Sequence, residues 1–270
     1  MPNILETIAQ ATRDRVQKEK ECVSLETMKA QAYALEKLDF PFEKALRKDG
    51  VSFICECKQA SPSKGQIVND FPYLEIAQAY QKAGASAISV LTEPQWFKGK
   101  LSYLKEISEA VSIPCLRKDF TIDPYMIYQA RVNGASAVLF IVSFAVLFIV
   151  SLLEKEQLKE YIEISESLGM SALVECHDQK EVEIAKSVNA KIIGVNNRNL
   201  KNFDVDSCNC LRLREAVGSD CLFVAESGVK NHQDVLALEK AKVDAILIGE
   251  TMMLADDKRQ KLKELKYGKN

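Results

Sequence analysis

Short apolar runs recur along the chain, and most end in a polar or charged residue. The first is Phe53-Ile-Cys-Glu-Cys-Lys58. Next come Ala87-Ile-Ser-Val-Leu-Thr-Glu93, Pro114-Cys-Leu-Arg-Lys-Asp-Phe120 and an Ala-Val-Leu-Phe-Ile-Val run near 137–150. The series closes with Ser171-Ala-Leu-Val-Glu-Cys-His177, Ile192-Ile-Gly-Val-Asn-Asn-Arg198, Cys221-Leu-Phe-Val-Ala-Glu-Ser-Gly228 and Ala245-Ile-Leu-Ile-Gly-Glu250. Segments with helical periodicity lie between them. Strand then helix, eight times, predicts an α/β fold of the (β/α)8 barrel type. In that fold the C-terminal strand ends carry the chemistry.

The region before the first run reads differently. Leu25, Met28, Ala32 and Leu35 fall at helix spacing, and Pro41 starts a second short segment, Phe42 to Arg47. Residues 1–47 are thus expected to form an N-terminal helical extension that caps one mouth of a barrel spanning 48–270.

Ala137-Val-Leu-Phe-Ile-Val-Ser143 reappears eight residues later as Ala145-Val-Leu-Phe-Ile-Val-Ser151. This reads as a tandem copy of the fourth strand, engineered or mutational in origin, and not as a membrane span. One strand from Ala137 to Val150 would run roughly 46 Å at about 3.3 Å per residue. Strands usually run ~17–20 Å, so only one copy fits. The even offset lets either copy present the same face inward. Ser151-Leu-Leu-Glu154 resembles a capping box. The expectation is therefore that Val146–Val150 forms the strand and that the first copy is displaced. The unplaced apolar segment should lower stability or favour self-association.

Composition narrows the partners. The 270 residues suit a barrel of about 250 plus an extension. The net charge is −2, from 36 basic and 38 acidic residues, with no basic block. Nucleic acid and anionic membranes are not expected partners. The eight cysteines lack paired metal spacing, and there are only two histidines. Reduced, buried cysteines in a cytoplasmic protein are expected, with no metal site. The N-terminus carries no basic segment followed by an apolar core, so no signal peptide is expected.

Side chains alternate across a strand with period two. Glu56 and Lys58 share a face, as do Lys118 and Phe120, Glu175 and His177, and Asn196 and Arg198. An unpaired charge among the outer apolar helices would cost several kcal/mol. Facing inward near the strand end is cheaper. That groups Glu56, Lys58, Lys118, Glu175, Asn196 and Arg198 around one mouth. Any one of them could be a salt-bridged strand cap; six together point to a site. The turns Glu226-Ser227-Gly228 and Gly249-Glu250-Thr251 follow the seventh and eighth strands, where barrels often bind phosphate through backbone N–H groups. Ser227, Gly228 and Gly249 are the candidates.

These motifs resemble the indole-3-glycerol phosphate synthase family of tryptophan biosynthesis, over essentially the whole chain. The resemblance rests on Ile54-Cys-Glu-Cys-Lys58 with Ala60-Ser-Pro-Ser-Lys-Gly65, Ser89-Val-Leu-Thr-Glu93 with Trp96-Phe97, and Leu116-Arg-Lys-Asp-Phe120. It extends through Leu173-Val-Glu-Cys-His-Asp178, Ile193-Gly-Val-Asn-Asn-Arg-Asn-Leu200 and Val224-Ala-Glu-Ser-Gly228. It implies a lyase acting without cofactor on 1-(2-carboxyphenylamino)-1-deoxyribulose 5-phosphate. Ring closure, loss of carbon dioxide and loss of water would follow in turn. By the same resemblance Lys118 is the general acid, Glu175 the base, and Lys58 a second acid or anion anchor. Glu56 orients the lysines, Asn196 and Ser227 position hydroxyl groups, and Arg198 contacts an anion. Ser61 belongs to the substrate-binding loop. An apolar slot for the anthranilate ring draws on Trp96, Phe97 and Phe120, with Leu147 and Ile149 or their copies Leu139 and Ile141. Glu250 departs from the serine that many relatives carry, and a carboxylate there would repel phosphate. Two other readings stay open. One is another phosphate-binding barrel enzyme, such as phosphoribosylanthranilate isomerase or a tryptophan synthase α subunit. The other is a barrel impaired by its duplicated strand and serving as a folding model.

Overall fold

The computed structural model describes residues 4–142, 153–199 and 203–268. Eight parallel strands close into a barrel: β1 Ser52–Cys57, β2 Ala87–Leu91, β3 Cys115–Lys118, β4 Ala137–Ile141, β5 Ser171–Cys176, β6 Ile192–Asn196, β7 Leu222–Glu226 and β8 Ala245–Ile248. β8 pairs back onto β1, with Ser52 opposite Ala245, so the sheet has no open edge. Nearly every strand residue is buried. This is why the strands read as continuous apolar runs and not as alternating ones. One face packs on the surrounding helices. The other fills the barrel with Ile54, Leu116, Leu139, Leu173, Val224 and Leu247.

Three helices precede the barrel: α1 Ile4–Cys22, α2 Leu25–Ala34 and α3 Pro41–Leu46. The extension reaches both mouths, not one. Leu5 and Ile8 of α1 pack with Phe120 and Ile141 at the C-terminal strand ends. Arg15 ties α1 to Asp119 at 2.9 Å, and Lys20 ties it to Asp123 at 2.6 Å. At the opposite end Phe42 and Leu46 of α3 are buried beneath the barrel interior. There the Glu43 N–H donates to Ser171 Oγ at 3.2 Å.

The helices that follow the first three barrel strands are α4 Tyr73–Lys82, α5 Leu101–Ala110 and α6 Pro124–Val132. β4 is the first copy of the repeat, against the expectation of Val146–Val150. The second copy, with Leu147 and Ile149, lies outside the described residues. The short turn after α6 explains the choice. Gly134 turns the chain at φ +83°, and the Ser136 N–H donates to Cys115 O at 2.8 Å. Ala137 is thereby set opposite Leu116. Using the second copy would force eight extra residues into that turn. Longer connections are tolerated after the strand, on the loop side of a barrel. The helix cap also lies further along than the Ser151 box. The next helix, α7 Lys155–Ser167, starts at Glu154, whose N–H donates to Gln157 Oε1 at 3.1 Å.

Among the described residues five further helices follow: α8 Gln179–Ser187, α9 Asn209–Val217, α10 His232–Lys240, α11 Glu250–Met253 and α12 Lys258–Tyr267. Several begin at once after a strand end, on side-chain caps. Asp178 accepts from the Glu181 N–H at 2.9 Å and Asn231 from the Gln233 N–H at 2.8 Å. Short capped loops hold the strand ends rigidly. Among the described residues no helix is long and apolar enough to cross a membrane.

Candidate active site

The inward set ends at the C-terminal mouth in polar side chains. They surround a cavity of about 820 Å³. Its walls include Glu56, Lys58, Ser61, Phe97, Lys118, Phe120, Glu175, Asn196, Arg198, Ser227, Gly228 and Gly249. Twelve of the expected residues thus meet at one place. Leu139 and Ile141 of β4 line the wall, in the place expected of Leu147 and Ile149, which lie outside the described residues. Trp96 is not part of the lining; it packs half-buried against the inner core. The apolar side of the cavity is made by Phe97, Phe120, Ile141 and Leu5, with the two phenyl rings 6.2 Å apart.

The polar side is a ring of paired charges. Lys118 Nζ lies 2.8 Å from Glu175 Oε2 and 3.5 Å from Glu226 Oε2. Lys58 Nζ lies 2.5 Å from Glu56 Oε1. Asn196 donates to Glu175 Oε1 at 3.0 Å. Burial alone would push Lys118 down, but the fields of Glu175, Glu226 and Glu56 outweigh it, and the lysine stands above its usual range. Burial would raise Glu175; Lys118 and His177 hold it well below the carboxylate range instead. Glu226 goes the other way. Burial and the neighbouring Glu175 charge push it up to about 8, against the pull of Lys118. Two carboxylates flank one lysine, and their surroundings push them in opposite directions, Glu175 down and Glu226 up. Such a split suits acid–base chemistry, and buried ion-pair networks also produce it.

Three residues of the site escaped sequence reasoning. Glu226 was read only as part of a turn, although strand parity with Val224 places it inward. Glu93 takes the backbone N–H groups of Gln95, Trp96 and Phe97 at 2.8–2.9 Å, and so shapes the wall that carries Phe97. Asn197 Nδ2 donates to Ser227 O at 3.0 Å, which supports the turn after β7. Only parity could have found Glu226. Nothing local signals the other two contacts.

Residues 5–265 match the family model described as indole-3-glycerol phosphate synthase. A protein of that name from Ruminiclostridium cellulolyticum is 50% identical over 264 residues, covering 97% of this chain and 98% of the relative. One from Endomicrobium trichonymphae is 49% identical, covering 97% and 99%. The chain belongs to the indole-3-glycerol phosphate synthase family. Among solved structures, a 3-hexulose-6-phosphate synthase superposes with a TM-score of 0.64 at 16% identity. It covers 82% of this chain and 100% of its own. That likeness supports the barrel fold alone.

Membership of the indole-3-glycerol phosphate synthase family removes the isomerase and the tryptophan synthase α readings. It also gives meaning to the turns after β7 and β8. Ser227 and Gly228 both take left-handed backbone, at φ +67° and +91°. For a serine that conformation is strained by about 1–2 kcal/mol, and the Asn197 contact helps hold it. Gly249 has a reason the sequence did not suggest. A Cβ there would sit 2.4 Å from Glu56 Oε1 and 3.1 Å from Lys58 Nζ. The glycine makes room for the Glu56–Lys58 pair. Glu250 lies 3.4 Å from Lys64 and 3.6 Å from Arg198, so its charge is engaged by two cations.

Proposed function

We propose that the chain converts 1-(2-carboxyphenylamino)-1-deoxyribulose 5-phosphate to indole-3-glycerol phosphate, carbon dioxide and water. Lys118 between Glu175 and Glu226, facing an apolar wall, is the observation that carries this reading. The anthranilate ring sits against Phe97, Phe120, Leu139 and Ile141, with α1 above it. The phosphate sits at Ser227, Gly228 and Gly249, and Ser61 lies on the loop that covers it. Arg198 contacts an anionic group of the substrate.

The carboxyl-bearing ring carbon attacks the ketone carbon, and the ketone oxygen gains charge. Lys118 gives it a proton as the bond forms. The cationic ring then acts as electron sink, the carbon–carboxyl bond breaks and carbon dioxide leaves. In the last step Glu175 takes a proton from the methylene carbon beside the nitrogen, and the hydroxyl departs as water with a proton from Lys58. The whole sequence consumes one proton. Glu56 holds Lys58 in place, and Asn196 and Ser227 position the hydroxyl groups. Glu226, kept neutral, leaves Lys118 with one ionised partner instead of two, so the lysine gives up its proton more readily. All eight cysteines are free, which supports a cytoplasmic setting.

Incubation of the purified chain with the carboxyphenylamino substrate tests this reading. Appearance of indole fluorescence with loss of carbon dioxide is expected. A folded chain that leaves the substrate unchanged contradicts it.

A further inference from the structure

One titratable group beside the mouth has no part in the steps above. His177 leaves β5 two residues after Glu175. Its Nε2 lies 3.3 Å from Glu175 Oε1, an ion-pair contact, and its Nδ1 lies 3.0 Å from Glu181 Oε2. Glu181 stands in the first turn of α8 and is itself buried. The same Glu181 oxygen accepts the His177 backbone N–H at 2.7 Å. Asn209 of α9 donates to His177 O at 3.1 Å. The ring is therefore held between two carboxylates.

A neutral imidazole donates from one nitrogen only. With Nδ1–H turned to Glu181, Nε2 would aim a lone pair at Glu175. The imidazolium faces both carboxylates with positive charge, hydrogen-bonding Glu181 through Nδ1 and meeting Glu175 through Nε2 as an ion pair without hydrogen-bond geometry. Burial would push His177 down, but its contacts with Glu175 and Glu181 outweigh this and push it up to about 10.

We propose that His177, held by Glu181, is a positioning residue that decides which of the two carboxylates flanking Lys118 is ionised. Glu175 and Glu226 share that lysine, from β5 and β7, with Glu56 of β1 adding its negative field. Glu175 has a second cation within ion-pair distance, His177, whereas among the described residues Glu226 pairs with Lys118 alone. The proton shared by this trio therefore resides on Glu226. This rests on Glu175 being the base in the reading above.

Two measurements test it. The chain has two histidines, so imidazole NMR resolves both, with a His232→Asn variant for assignment. His177 should remain charged at pH 8 in the wild type, and in Glu181→Gln should titrate lower by one unit or more, about the size of one lost neighbouring charge. A neutral His177 at pH 7.5 in the wild type overturns the proposal without any assay. In the pH profile of kcat/KM, His177→Gln and Glu181→Gln should move the acid limb up by about one unit, because Glu175 keeps its proton to higher pH. KM should change less than the rate. Both limbs unmoved in two folded variants also overturns it. If the wild type shows a charged His177 but no turnover, the pairing stands and the reaction assignment fails.

Discussion

The two ends of the barrel interior are built from the same strands to opposite ends. At the N-terminal end the inward residues are Ile54, Leu116, Leu173 and Ile192, all fully buried, with Phe42 and Leu46 closing the mouth. Two to four residues further along, the same faces carry Glu56, Lys118, Glu175 and Asn196. The apolar end is stabilised by burial alone, at about 25 cal/mol per Å² of apolar surface. The charged end must pair every ion, because desolvation there can exceed the Coulomb gain. Stability and chemistry thus sit one strand-repeat apart. Substitutions at neighbouring inward positions should separate them.

The largest effect on stability is expected at the apolar end. Leu116→Ala removes a fully buried side chain and should cost about 2–5 kcal/mol, read by urea unfolding. Below the melting range its kcat should stay near wild type. A collapse of kcat in the folded variant would mean that the two ends are not separable.

At the charged end Glu226→Gln should act on pH dependence instead. Its carboxyl is held neutral up to about pH 8. Between its ordinary pKa near 4.5 and pH 8, the folded state binds more protons than the unfolded state. Wild-type stability from this group therefore falls as pH rises through that window. Glutamine removes this dependence. The Tm of the variant should gain on wild type from pH 5 to pH 8 and then level. The basic limb of kcat/KM near pH 8 should vanish. A Tm difference that is constant with pH would show that Glu226 is ionised in the fold.

The smallest effect belongs to the rim. Glu250 is part-exposed, and its contacts with Lys64 and Arg198 are long. Pairs of this kind are worth about 0.2–1 kcal/mol. Glu250→Ser should free two cations for the substrate phosphate and lower KM by about two- to fivefold, with kcat unchanged. A raised KM would instead assign the carboxylate a binding role.

Much of this arrangement was legible in the chain. The eight apolar runs marked the barrel, and period-two parity put Glu56, Lys118, Glu175 and Asn196 on one mouth. The choice between the copies at Ala137 and Ala145 was not legible, because an eight-residue offset preserves parity and leaves the face unchanged. The deciding fact was the tight turn at Gly134, whose register with Cys115 is a tertiary contact. The role of Gly249 was hidden for the same reason, since Glu56 lies against it only once β8 closes on β1. Glu226 is within reach of parity, but the Ser227-Gly228 turn that follows it masks its place on the strand.

Lys118 and Leu116 lie two residues apart on one face of β3, and the comparison between the barrel ends rests on them. The decisive measurement is kcat and Tm together for Lys118→Met, which keeps the aliphatic stem and removes the proton. The account predicts a loss of about 10²-fold or more in kcat with the folded state retained. A folded Lys118→Met chain that turns over at a near-normal rate would remove the lysine from the chemistry and contradict the account.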